Sequence, residues 1–183
     1  HLWSNLDFKD ATETAKRLVP KIRRAAKADV IAVVVHSGVG PEHSKSRMLD
    51  HCAYQIAEQV PGIDVVFCGH DHREANREIL NDSTQQKVLV LNPGANAKRV
   101  AQADFMLGLD SNGKVVKKQI TGQLVDIRNQ EPDQDFLKRF QKDFEAIKEF
   151  TTQVIGYNKA TLDTRPAFFG SSPFVDYIHQ IQL

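Results

Sequence analysis

The stretch Ile63-Asp64-Val65-Val66-Phe67-Cys68-Gly69-His70-Asp71-His72 decides how this chain is read. Its apolar run, preceded by Pro61-Gly62 and stopped at Gly69, has the pattern of a strand covered on both faces. A second run of the same kind, Val30 to Val35, ends in His36-Ser37-Gly38. Between them a helix is expected from about Ser46 to Gln59, with Leu49, Cys52, Ala53, Ile56 and Val60 on one side. Strand, helix, strand with a right-handed crossover makes the two strands parallel and brings their carboxyl ends to one edge. Ligand chemistry in open α/β sheets collects beyond that edge. His36, His70 and His72 all arrive there, and imidazoles bind first-row divalent ions well.

In extended backbone, residues two apart point to the same side. His70 and His72 would then face one pocket while Asp71 turns away from it, and Gly69 permits the tight turn. The remaining histidines carry less. His51 is expected on the polar side of the 46–59 helix, His43 in the loop after His36, and His1 and His179 offer no motif of their own. Gly38-Val39-Gly40 lacks the third glycine and the later acidic residue of a dinucleotide-binding loop. There is no nucleophile elbow and no phosphate-cradling P-loop.

Outside this unit the pattern changes. Asp10 and Glu13 resemble a capping box ahead of a helix that Pro20 should kink or split. Val88 to Leu91 reads as a short strand closed by Asn92-Pro93-Gly94. Val100–Leu109 and Lys114–Asp126 read as antiparallel strands joined by Asp110-Ser111-Asn112-Gly113. A helix is expected over Asp133–Thr152, with Phe136, Leu137, Phe140, Phe144, Ile147 and Phe150 as its buried stripe. Val154 to Tyr157 is a further candidate strand, and Pro173 to Leu183 starts another helix.

The 183 residues carry 24 basic and 23 acidic side chains and are 41% apolar. A core is affordable, and the net charge of +1 leaves no electrostatic footprint for nucleic acid or an anionic membrane surface. No apolar run reaches the roughly 20 residues that span a bilayer. His1-Leu2-Trp3 leads straight toward a helix without an opening strand, so the chain reads as starting inside a protein. Cys52 and Cys68 read as inert core thiols.

The segments Ala28 to Gly38 and Ile63 to His72, with Val90-Leu91-Asn92-Pro93-Gly94 and the strand pair that follows, resemble the calcineurin-type metallophosphoesterases. More closely they resemble the bacterial 5'-nucleotidase family, which includes the 2',3'-cyclic-nucleotide phosphodiesterases. The resemblance implies an α/β fold, part of an α/β/β/α sandwich with mixed parallel and antiparallel strands. It implies two divalent metal ions, with zinc, manganese, iron, cobalt and calcium all admissible. His36 and His70 would ligate one ion and His72 the other, and the pair would activate a hydroxide for in-line attack on phosphorus. The expected substrate is a nucleotide or another small phosphate ester, and the expected location is periplasmic or at the cell surface.

The family's Asp-x-His box, bridging Asp and Asn-His-Asp or Asn-His-Glu box do not occur here. Residues 1–157 therefore read as the C-terminal half of the metallophosphoesterase domain, 158–172 as a linker, and 173–183 as the start of a nucleotide-binding domain. On that reading the isolated piece is inactive and no catalytic residue lies within it. A cyclic-nucleotide phosphodiesterase and a non-catalytic scaffold that kept the fold are the alternatives.

Overall fold

A computed structural model of the protein describes residues 6–159 and 161–183. The reading of His1-Leu2-Trp3, and Ala160 of the expected linker, lie outside the described residues. The chain forms two compact units, His1–Gln130 and Glu131–Leu183.

In the first unit, helix α1 (Ala11–Ala26) starts at Asp10, whose Oδ1 accepts the Glu13 N–H at 2.8 Å. The reciprocal half of the capping box does not form; the Glu13 carboxylate takes the Lys16 ammonium instead, at 2.8 Å. α1 continues through Pro20 as one helix, so the expected split is absent. Strand β1 (Ala32–Val34), helix α2 (Ala53–Gln59) and strand β2 (Val65–Phe67) follow. Strands β3 (Glu74–Leu80) and β4 (Lys87–Pro93) form a hairpin. The four strands lie in the order β1-β2-β4-β3, with β1, β2 and β4 parallel and β3 antiparallel to β4.

Strands β5 (Arg99–Leu109) and β6 (Val115–Asp126) make a separate two-stranded sheet. Their turn forms as the Asp-Ser-Asn-Gly signal requires: Asp110 Oδ1 accepts the Asn112 and Lys114 N–H groups at 2.8 and 2.9 Å, and Gly113 sits at φ +76°. The continuous apolar runs of β2 and β4 now have a structural cause. Val66, Val88 and Val90 pack with α1 and α2 through Val19, Ala53, Ile56 and Ala57. Val65, Leu89 and Leu91 face the other way, against Ala101, Ala103, Ile120 and Leu124 of the hairpin sheet. The result is helix, sheet and sheet in three layers. The two sheets approach closely at Gly122: a Cβ there would lie 2.8 Å from the methyl groups of both Leu89 and Leu91.

β1 departs from this scheme. It was expected to be covered on both faces, yet Val34 is 82% exposed. The hairpin covers β2 and β4, and β1 is the edge strand beyond them. β3 has no counterpart among the expected strands. It too lies at an edge and buries only Ala75 and Ile79, so its sequence alternates weakly.

The largest local correction falls between the first two strands. The helix expected from Ser46 begins only at Ala53. Side chains take the backbone groups that a longer helix would use. Asp10 Oδ2 accepts the Met48 N–H at 2.6 Å, and the Gln55 amide donates to the carbonyls of Ser44 and Ser46 at 3.0 and 2.8 Å. Ser37 Oγ donates to the Asp50 carbonyl at 2.6 Å and accepts from the Cys52 N–H at 2.8 Å. Met48 itself has φ +54°, outside helical space. The first N–H groups of α2 go to the loop carbonyls of Gly38 and Val39, at 3.1 and 2.9 Å.

Asp10 thus holds both the start of α1 and the middle of this loop, and its two backbone hydrogen bonds hold its carboxyl below the ordinary value of 3.8. A depressed folded-state value means the carboxylate's contribution is complete above pH 3.8 and fades as pH falls through the lowered value. Asp10→Ala should cost about 1–2 kcal/mol at pH 7, the range of a lost N-cap. Urea unfolding at pH 7 and at the acid end checks this, because the gap between wild type and variant should narrow in acid.

The second unit holds helix α3 (Gln134–Thr151), a 3-10 turn at Arg165–Phe168 and helix α4 (Pro173–Gln182). Asp133 caps α3, its Oδ1 accepting the Asp135 and Phe136 N–H groups, both at 2.9 Å. The apolar stripe of α3 is not buried as expected. Phe136, Leu137, Phe140, Phe144, Ile147 and Phe150 are all exposed, and Phe150 is the most open at 75%. Periodicity produced the helix and its apolar face, but among the described residues of this unit nothing covers that face. Val154 to Tyr157 is not a strand; Val154, Ile155 and Tyr157 are exposed and lack a pairing neighbour within the described residues.

Candidate metal centre

Parallel pairing continues past the formal ends of β1 and β2. Val35 N–H donates to the Phe67 carbonyl at 3.0 Å, and Gly69 N–H donates to the Ser37 carbonyl at 3.0 Å. This extension carries His36 and His70 to the same point on the sheet edge. Their rings meet edge-on with centroids 5.0 Å apart, and His70 Nδ1 lies 3.2 Å from His36 Nε2. The other nitrogen of His70, Nε2, lies 3.3 Å from Asp50 Oδ2. The ring of His51 stands 5.4 Å from that of His70.

Two of the three expected ligands therefore come together. His72 is exposed, and no hydrogen bond or ring contact joins it to His36 or His70 among the described residues. The backbone explains the difference. His70 and His72 have φ +75° and +59°, left-handed values that end the extended geometry assumed for a shared-face pair. Non-glycine residues in this region store strain and cluster at functional sites.

Asp71, expected to face away, points back into the loop. Its Oδ2 accepts the Val39 N–H at 2.9 Å, and its Oδ1 accepts from the Asn92 amide at 2.8 Å and the Arg73 N–H at 3.2 Å. Burial raises the Asp71 pKa; the hydrogen bonds from Val39, Arg73 and Asn92, with the charge of His51, outweigh it and hold the carboxyl below its usual range. Asn92 is fully buried, and its own Oδ1 accepts the Gly94 N–H at 3.0 Å. The Asn-Pro-Gly segment thus fixes the carboxylate beside the histidines.

His51 and Asp50 were missed because they were placed on a helix that does not form there. The loop instead delivers both to the site. Donor atoms of Asp50, His51 and His70 all lie within 4.8 Å of one another, the sole such grouping of three potential ligands among the described residues. His51 Nδ1 is buried with no hydrogen-bond partner. It borders Gly38, where a Cβ would overlap that nitrogen and come within 2.7 Å of Asp71 Oδ2. Imidazole and carboxylate donors of this kind suit a borderline divalent cation, so the residues present fit one.

His43 does not approach the site; its N–H and Nδ1 meet the buried Glu58 carboxylate, at 2.9 and 3.3 Å. Cys52 and Cys68 are free, buried thiols, as expected. Burial pushes Cys68 up to about 12, far from thiolate chemistry. Asp64 lies at the other end of β2, accepting the Ile31 N–H at 2.8 Å and pairing with Lys118. No helix among the described residues is long and apolar enough to cross a membrane.

No family model matches the chain. A 2',3'-cyclic-nucleotide 2'-phosphodiesterase/3'-nucleotidase of Salmonella typhimurium is 25% identical along the whole chain, which spans 30% of that protein's length. Among solved structures, the calcineurin-like phosphoesterase YfkN of Bacillus subtilis superposes with a TM-score of 0.65 at 20% identity, over 80% of this chain and 46% of that one. A 5'-nucleotidase precursor from Thermus thermophilus superposes with a TM-score of 0.57 at 20% identity, over 85% of this chain and 31% of that one. In fold the chain is similar to calcineurin-like phosphoesterases, and in sequence it is similar to a 2',3'-cyclic-nucleotide 2'-phosphodiesterase/3'-nucleotidase.

Proposed function

We propose that this chain is the histidine-bearing part of a larger metal-dependent phosphoesterase that acts on nucleotides. The observation that supports it most is the meeting of His36 and His70, 3.2 Å apart at the ends of adjacent parallel strands. His36 and His70 hold one divalent ion and His72 contributes to a second. When bound, such ions supply Lewis-acid stabilisation of phosphoryl oxygens and a nucleophile at neutral pH. The chain's own residues orient that centre: Asn92 and the Val39 N–H fix Asp71, and Ser37 ties the Asp50 backbone to the strand end.

Residues 1–157 belong to the metallophosphoesterase domain, 158–172 link it onward, and 173–183 open a nucleotide-binding domain. The isolated chain is inactive, in keeping with its 30% share of the Salmonella relative's length. The Thermus relative is described as a precursor, which supports a periplasmic or cell-surface location.

The Salmonella relative's name favours a second reading of the substrate, 2',3'-cyclic nucleotides and 3'-nucleotides over 5'-nucleotides. The test is hydrolysis of 2',3'-cyclic AMP, 3'-AMP and 5'-AMP by the full-length protein with and without a chelator. Turnover that a chelator abolishes and added Mn²⁺ or Zn²⁺ restores is the expected result. A full-length protein that binds no metal and cleaves none of the three is a scaffold, and the proposal fails.

A further inference from the structure

We propose that Arg73 is a phosphate-binding residue of this site, its guanidinium taking non-bridging oxygens of the substrate's phosphoryl group beside the histidine pair. This rests on the reading of the sheet edge as a phosphoesterase centre in which His36 and His70 share one ion. It adds a substrate contact that the resemblance does not assign.

A cleft of about 490 Å³ opens next to the cluster, within the size range of small-molecule sites. Its walls are Val39, Gly40, Pro41, His51, Asp71 and Arg73. His51 joins it to the metal centre, since the His51 ring stands 5.4 Å from that of His70. A small ester seated in the cleft can thus present one end to the histidine pair. Among the described residues, Arg73 is the one permanent cation on those walls.

The Arg73 guanidinium is also unengaged. Arg77, farther along β3, pairs with Glu42 at 2.6 Å, and Arg99 pairs with Glu74. Arg73 has no ion pair and no side-chain hydrogen bond among the described residues. The carboxylate beside it on the wall, Asp71, is taken by other donors. Asp71 Oδ2 accepts the Val39 N–H at 2.9 Å, and Oδ1 accepts the Asn92 amide at 2.8 Å and the backbone N–H of Arg73 at 3.2 Å. That last bond, with the pairing of Glu74 to Pro93 in the next position, fixes the backbone from which the guanidinium projects. The chain enters this position through His72 at φ +59°, a strained conformation that non-glycine residues adopt mostly at functional sites.

The chemistry suits the place. A guanidinium presents a planar fork of N–H donors that matches two phosphoryl oxygens and stays charged at any working pH. Aimed at a transferring phosphoryl group, it also stabilises the charge that develops there.

The test uses the full-length protein loaded with Mn²⁺, with inorganic phosphate as the calorimetric probe and turnover of the nucleotide it cleaves. Arg73→Ala should weaken phosphate binding about 10- to 100-fold, the scale of one charge-assisted contact, and raise KM by a similar factor. Bound metal, measured by mass spectrometry, should stay at the wild-type level. Arg73→Lys should fall between the two, because an ammonium keeps the charge and loses the fork. Lys87→Ala removes a positive charge at the opposite end of β4 and should bind phosphate like the wild type. Arg73 is exposed, so its variants should fold normally, which circular dichroism verifies. If Arg73→Ala keeps wild-type phosphate affinity and KM while the wild type holds metal and cleaves nucleotide, the proposal is overturned and the phosphoesterase reading stands. If Arg73→Ala loses metal along with phosphate, Arg73 serves the metal centre rather than the substrate, and the proposal is again overturned. If the wild-type protein neither holds metal nor cleaves a nucleotide, both fall.

Discussion

His70→Ala is expected to remove divalent-ion binding by the chain and to lower phosphoester hydrolysis by the full-length protein by at least about 100-fold, more than loss of an outer-shell partner. His70 is the side chain on which the others converge. Its Nδ1 contacts His36 at 3.2 Å, its Nε2 contacts Asp50 at 3.3 Å, and its ring lies 5.4 Å from that of His51. Truncating it empties the middle of the cluster and leaves His36, Asp50 and His51 without their common neighbour. Stability should change little, because His70 is exposed and its loss opens no core cavity. Metal content by mass spectrometry, turnover with a nucleotide substrate and urea unfolding separate the two effects. A variant that lost metal only by unfolding would show its deficit in the urea curve.

Leu91→Ala should destabilise the first unit by about 3–4 kcal/mol, within the range for large-to-small changes in a packed core. Leu91 is fully buried between the four-stranded sheet and the β5–β6 sheet, among Val65, Leu89, Ala101, Ala103, Ile120 and Leu124. Small residues already line that interface, and at Gly122 the sheets are already close enough that a Cβ would clash with Leu89 and Leu91. The gap therefore has little left to close over it. A loss of this size is a large part of a typical domain's total stability. Leu109→Ala, at a leucine 60% exposed on the same hairpin, should stay within about 0.5 kcal/mol of wild type. Chemical denaturation monitored by circular dichroism measures both.

Much of the architecture was legible because covered strands declare themselves. Val65 to Cys68 and Val88 to Leu91 must satisfy apolar neighbours on two sides, so every position is apolar and no other element fits. The parallel pairing of β1 with β2 followed from the strand-helix-strand order, and with it the meeting of His36 and His70; the parallel pairing of β4 with β2 did not. β3 was invisible because an edge strand with solvent on one side tolerates Glu74, Arg77 and Glu78. The stretch from Ser46 to Cys52 was misread for a different reason. Its composition suits a helix, but Ser37, Asp10 and Gln55 claim its backbone groups from far along the chain. That competition is long-range, and no local pattern reports it. Asp50 and His51 were hidden with it. The α3 stripe was legible as helix and not as core: spacing shows that a face is apolar, never that something covers it.

The strict alternation along β4 also bears on how this protein tolerates change in length. Each residue from Val88 to Leu91 serves helices or hairpin by turns, and Asn92 then reaches Asp71. Swapping one aliphatic group for another preserves that allocation. A single inserted or deleted codon inverts it, sending helix-facing side chains toward the hairpin and swinging the Asn92 amide off its carboxylate. Drift by substitution is thus open to this strand, while drift by indel is closed, and a fold defect and a disordered histidine cluster would arrive together.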